Sequence, residues 1–247
     1  MPNSGSPNPS EPLNADETRQ MAKIGVLMLD THFNRIPGDV GNSHSWSTPV
    51  LFKTVKGANP ANVVFGGAEG LLDPFIKSAL ELVDEGARAI TTSCGFLAIY
   101  QKELAAALPV PIFASSLMQA PLIKAILPAD KQVGILTFSA QSLTERHLVG
   151  AGADPETPIQ GVKPDSKFAH YYGNRPDAEL DFAQFETDVL EAAETLVKAH
   201  PNTGAILCEC TNLPPHSRAI AEHTGLPVYD IMGFVDWMAR SLRPTRY

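Results

Sequence analysis

The chain has 247 residues, with 44% hydrophobic and 19% charged side chains and a formal net charge of −8. That is enough chain for one large α/β domain or two small lobes. The acidic balance, with no basic run, argues against nucleic acid or an anionic membrane as partner. No apolar stretch approaches the roughly 20 residues of a membrane span.

Residues 1–21, rich in Pro, Ser and Asn, predict a disordered tail and lack the apolar core of a secretory signal. Three cysteines, two of them in a C-x-C arrangement, do not suggest a disulfide framework. A cytoplasmic protein with reduced thiols is the expectation.

From Lys23 to Asp30 the chain reads KIGVLMLD, an apolar run of the kind a strand buried on both faces requires. A polar loop follows, and Pro49–Gly57 alternates as a second strand. Residues 71–87, LLDPFIKSALELVDEGA, carry apolar side chains at helical spacing. RAITTS is a third strand, GFLAIYQKELAAAL an amphipathic helix, and Pro111–Ala114 a fourth strand. The pattern then restarts: strand at Gln132–Ser139, helix over SLTERHLVGAG, long helix over residues 181–200, strand GAILCE, helix PHSRAIAEHTG, strand PVYD, and closing helix IMGFVDWMARSL. Strands alternating with helices predict parallel sheets flanked by helices.

The restart is a repeat. Ile24–Asp30 aligns with Val133–Ser139, and Ala87–Cys94 with Thr203–Cys210. The interval from Cys94 to Pro111 equals that from Cys210 to Pro227. Two similar pseudo-twofold lobes are expected, residues 22–116 and 117–230, with the closing helix 231–247 on the first and the active site in the cleft between them.

Cys94 and Cys210 each fall at the C-terminal end of a strand, just before a helix. Ligands of open α/β sheets bind at that edge. Helix starts offer unpaired N–H groups that attract anions and lower a thiol's pKa. Two thiols across one cleft suit racemisation, where one takes a proton from a stereocentre and the other returns it on the far face. Cys208, inside an apolar strand, reads as core. A metal centre built from the three cysteines and His216 lacks the usual C-x₂₋₄-C pairing and is not expected. FGGAEG is not a phosphate-binding loop.

The motifs TTSCGF and LCECTNLPP, with IGVLMLD at the start, resemble the aspartate/glutamate racemase superfamily over Lys23 to Leu242. That group includes amino-acid and hydantoin racemases, maleate isomerases and arylmalonate decarboxylases. The resemblance implies two α/β lobes, no cofactor, Cys94 and Cys210 as the catalytic pair, Asp30 assisting the first thiol, and Thr211 binding the substrate carboxylate. Gly95-Phe96 stands where amino-acid racemases have Asn-Thr, and Asn212 where glutamate racemases have His, so glutamate specificity does not follow.

The expectation is thus a cofactor-independent racemase or epimerase, an isomerase acting on a small carboxylate or hydantoin, in a homo-oligomer. Cys94, Cys210 and Asp30 are its candidate catalytic residues. Gly95, Thr92, Ser93, Thr137, Ser139, Thr211, Asn212 and Arg35 are its candidate substrate-binding residues, with Asp39 a further candidate in the loop carrying Arg35. Capping or a surface loop accounts for several of these polar positions almost as well. The alternatives are a maleate-isomerase-like enzyme using one cysteine as nucleophile, and a binding protein for small carboxylates.

Overall fold

The central apolar runs pair with their neighbours as largely buried parallel strands, while the edge strands are only partly buried. The computed structural model describes residues 23–175 and 177–244. The expected tail, residues 1–21, lies outside them, as do the last three residues of the expected closing segment. In the first sheet β1 (Lys23–Met28) and β3 (Ala87–Thr92) are central, flanked by β2 (Val50–Thr54) and β4 (Ile112–Phe113). The order is β2-β1-β3-β4. In the second sheet β5 (Gln132–Thr137) and β7 (Thr203–Cys208) are central, flanked by β6 (Ile159–Gly161) and β8 (Val228–Tyr229). The order is β6-β5-β7-β8.

All pairings are parallel. The two sheets therefore share one topology, as the repeat predicts. They also share a detail: the register slips between Lys23 and Ile24 in one and between Gln132 and Val133 in the other.

Helices cover the sheets. They are α1 (Leu72–Asp84), α2 (Gln101–Ala107), α3 (Ala120–Ile126), α4 (Glu145–Ala151), α5 (Lys167–Tyr172), α6 (Phe182–Ala199), α7 (Ser217–Thr224) and α8 (Ile231–Ser241). The apolar face of α1 buries Phe75, Ala79 and Leu82. That of α6 buries Phe185, Val189, Ala193 and Leu196, and its N-terminus is capped by Asp181, whose side chain accepts the Gln184 N–H.

The segment expected as one helix from Gly95 begins as a 3₁₀ helix, Gly95–Tyr100, and becomes α at Gln101. Its first four residues are buried. A Cβ on Gly150 of α4 would lie 2.4 Å from the Ala98 carbonyl oxygen, and the narrower 3₁₀ form fits that gap. Strand β6 and helices α3 and α5 were not expected. They are short and carry little periodicity.

One apolar cluster joins the two halves. Leu27, Ile90 and Leu97 from the first half pack in it with Val133, Ile135, Ala205 and Leu207 from the second. Helix α8 covers the outer side of the first sheet, where Ile231, Phe234, Val235 and Met238 meet Ile24, Val26 and Ala89.

Candidate active site

The two central strands end on the same side of the molecule and turn their cysteines toward one pocket. After β3, the Ser93 hydroxyl accepts the Leu29 N–H at 2.8 Å, tying the exits of β1 and β3 together. Cys94 then caps the 3₁₀ helix in extended conformation, without a side-chain capping hydrogen bond. After β7, the Glu209 N–H donates to the Leu136 carbonyl at 2.8 Å. Cys210 follows, and its thiol donates to the Asn212 side-chain oxygen, Oδ1, at 3.7 Å.

The halves are stitched where they meet. The Thr211 hydroxyl donates to the Ser93 carbonyl at 2.6 Å, and the Ser116 hydroxyl to the Cys208 carbonyl at 2.7 Å. The pocket has a free volume of about 420 Å³, part of it open to solvent, and both Cys94 and Cys210 line it.

Leu29, Val64, Phe33, Phe96 and Phe138 supply an apolar and aromatic wall. Arg35 faces the pocket and is held by three partners. One guanidinium nitrogen donates to Asp39 Oδ1 at 2.8 Å, the other to the Thr31 hydroxyl at 3.1 Å, and the group lies 4.8 Å from the Phe33 ring centre. Asp39 is fully buried; it also accepts from the Asn212 side chain at 2.6 Å and the Gly41 N–H at 2.7 Å.

Two further ionisable residues of the pocket were not singled out from sequence: Glu209 and Tyr172. Glu209 has no exposed surface. Its Oε2 accepts from the Thr137 hydroxyl at 2.5 Å, and its Oε1 has no hydrogen-bond partner among the described residues. Burial raises the Glu209 carboxyl from its ordinary 4.5 to about 7, against the Thr137 hydrogen bond, which lowers it. The Tyr172 hydroxyl is buried without a partner among the described residues, and burial raises it well above an ordinary phenol.

Helix starts were expected to depress both thiols. The structure shows the reverse. Burial pushes Cys94 and Cys210 up, and the Glu209 carboxylate pushes both further. The N–H groups of Phe96 and Asn212 pull the other way but do not prevail. Arg35 also favours the Cys94 thiolate, whereas Asp39 and Cys94 disfavour that of Cys210.

Of the expected site residues, Ser93, Cys94, Gly95, Arg35, Cys210, Thr211 and Asn212 line the pocket. Four do not. Asp30 is not among the lining residues, although its neighbours Leu29 and Thr31 are. Thr92 is consumed in the turn, its hydroxyl within 2.9 Å of the Cys94 carbonyl and 2.8 Å of the Ala114 carbonyl. Thr137 lies behind Glu209 and acts on the pocket only through it. Ser139 faces two neighbouring clefts and bonds Ser142 at 3.0 Å. Cys208 is fully buried in the core of the second half. All three cysteines are free. Among the described residues no group of three or more His, Cys, Asp or Glu is placed to hold a metal, and no helix is long and apolar enough to cross a membrane.

Two parallel four-stranded sheets with a cysteine at the mouth of each define the aspartate/glutamate racemase fold. Solved structures agree. Arylmalonate decarboxylase superposes with a TM-score of 0.62 at 15% identity, covering 91% of this chain and 94% of that one. Aspartate racemase from Picrophilus torridus superposes with 0.56 at 13% identity, covering 91% and 96%. No family model matches the chain.

The curated relatives are more specific. A dimethylsulfoniopropionate lyase from Durusdinium sp. clade D is 31% identical over 93% of this chain and 78% of its own length. Dimethylsulfoniopropionate lyase 3 from Emiliania huxleyi is 30% identical over 89% of this chain. The match spans 59% of that relative's length. The chain belongs to the dimethylsulfoniopropionate lyase family. That kinship overturns the expectation of a racemase or isomerase drawn from the cysteine pair, because its relatives are named as lyases. Two facing thiols do not by themselves distinguish inverting a centre from eliminating across a bond.

Proposed function

We propose that the protein is a lyase that cleaves dimethylsulfoniopropionate, or a close β-onium carboxylate, by elimination. The observation that carries this reading is a single small pocket holding both thiols and a buried carboxyl against an aromatic wall, on a chain whose relatives are lyases of that substrate. The substrate is a zwitterion with a carboxylate at one end and a sulfonium at the other. The C2 hydrogen lies next to the carboxylate, and the sulfonium on C3 leaves as neutral sulfide. A base removes the C2 proton, the C–H electron pair becomes the C2–C3 double bond, and the C3–S pair departs with sulfur. The products are acrylate, dimethyl sulfide and a proton.

The pocket supplies what that step needs. Cys94 is the base, because Arg35 favours its thiolate while Asp39 disfavours that of Cys210. Backbone N–H groups at Gly95 and Thr211, with Arg35, face the carboxylate, where negative charge develops. Phe138, Phe96 and Tyr172 take the sulfonium, since the negative face of an aromatic ring attracts an onium cation without hydrogen bonds. An elimination with a neutral leaving group requires one base and no acid, so Cys210 positions substrate and need not ionise.

Incubation with dimethylsulfoniopropionate should release equal amounts of dimethyl sulfide, read by headspace gas chromatography, and acrylate, read by proton NMR. Cys94→Ala should lower kcat by about 10²–10⁴-fold, the usual contribution of a positioned base. Cys208→Ala should retain activity. Folded wild-type protein that releases no sulfide above the blank would refute the reading.

A further inference from the structure

The pocket contains an ionisable group that the elimination as written leaves idle. Glu209 is fully buried between Cys208 and Cys210 in sequence and lines the pocket. Thr137 fixes one of its oxygens, and the other, Oε1, has no partner among the described residues. That free oxygen lies against Gly95, the residue after Cys94: a Cβ on Gly95 would sit 2.2 Å from it. Here the missing side chain leaves room for a carboxyl delivered from the other half of the molecule.

The ionisable groups around Glu209 are Cys94 on the 3₁₀ start and Cys208 and Cys210 on its own segment, all of whose thiolates its charge opposes. Arg35, the cation of the pocket, is engaged by Asp39.

We infer that Glu209 is the proton acceptor that generates the Cys94 thiolate. The inference rests on the proposed elimination only for what that thiolate does next. The Cys94 S–H bond breaks, its proton forms an O–H bond at Glu209 Oε1, and the electron pair stays on sulfur. The pocket's net charge is unchanged. A buried thiol that had to lose its proton to bulk water would instead leave a new charge in an apolar cavity, which costs far more. When the thiolate has taken the substrate's C2 proton, Cys94 is a thiol again and Glu209 a carboxylic acid. Loss of the Glu209 proton to water restores the starting state. A carboxyl that titrates at about 7 can hold and release a proton at neutral pH.

The test is the pH profile of Cys94 alkylation by iodoacetamide, a neutral probe, followed at each cysteine by mass spectrometry. In wild type the Cys94 rate should rise about tenfold per pH unit up to about pH 7 and then level off. The plateau arises because one proton is then shared between carboxyl and thiol. In Glu209→Gln, whose thiolate forms only by loss of the proton to water, the rate should show no break near 7 and keep climbing about tenfold per pH unit to pH 9. Glu209→Asp, which keeps a carboxyl, should restore the plateau in part.

If Glu209→Gln keeps the wild-type break near 7, another group shares the Cys94 proton, and the inference falls. It falls also if wild type shows no inflection near 7, a measurement that does not depend on any variant folding. The readout uses no sulfonium substrate, so failure of the lyase reading and failure of this one are separately visible.

Discussion

At Glu209 the demands of stability and of chemistry oppose each other. Its carboxyl stands at about 7 in the folded chain against an ordinary 4.5, so folding favours the protonated form. Its contribution to stability is complete below pH 4.5 and is lost as the pH rises through 7. The loss amounts to about 3 kcal/mol. Urea denaturation of wild type and Glu209→Gln at pH 4.5 and pH 8 should show the variant gaining about that much relative to wild type across the interval. An unchanged difference would mean that the carboxyl is not the buried, pH-sensitive group described.

Gly95→Ala addresses the same contact from the opposite side. The new methyl would meet Glu209 Oε1 at 2.2 Å and the Glu209 carbonyl oxygen at 2.5 Å. Overpacking of this kind costs about 1–3 kcal/mol. Displacing the carboxyl from Cys94 should lower kcat more than it raises KM, which steady-state kinetics would show. The two thiols were legible from sequence because the repeat aligned them and both end apolar strands. Glu209 was not, because a glutamate after a strand ordinarily meets water. Only the approach of Gly95 from the other half buries it. Tyr172 was hidden for a related reason, since its helix α5 is a single short turn of KFAHYY with no periodicity to mark an inward face.

At the level of elements, the repeat has a steric basis that the alignment already contained. Gly25 on β1 and Gly134 on β5 occupy equivalent positions. A Cβ on Gly25 would meet Ile90 Cδ1 at 2.6 Å and Leu82 Cδ1 of α1 at 3.1 Å. A Cβ on Gly134 would meet Leu196 Cδ2 of α6 at 2.9 Å. In each half, one strand glycine lets a covering helix settle onto the sheet. Gly25→Val and Gly134→Val should each destabilise the fold by about 1–3 kcal/mol, the cost of forcing extra methyl groups into a packed interior. A lowered urea midpoint with unchanged slope would confirm a packing effect. The central strands were readable because burial on both faces demands uninterrupted apolar runs. The edge strand β6, three residues reading IQG, carries no such demand. The helix expected from Gly95 was right in extent but not in winding, because the tight packing that selects 3₁₀ is a tertiary effect.

Considered whole, the molecule has two sheets but does not divide its interior between them. The largest apolar cluster takes Leu27, Ile90 and Leu97 from the first half and Val133, Ile135 and Leu207 from the second. The bonds from Thr211 to Ser93 and from Ser116 to Cys208 cross the same boundary within a few residues of both thiols. The relative placement of the sulfurs is therefore fixed by the core itself and not by a hinge, and the halves should unfold as one unit. Trp46 and Trp237 pack on the first half, beside the α8 cluster, so tryptophan fluorescence reports that half alone. Cys208, sealed in the core of the second half, reports the other through its protection from alkylation. In a urea titration the two signals should be lost at the same midpoint. Separated midpoints would mean that the halves are independently stable. The site would then depend on their docking, and Thr211→Val, expected to cost about 1–3 kcal/mol by leaving the buried Ser93 carbonyl unpaired, would act on activity before it acted on the unfolding of either half.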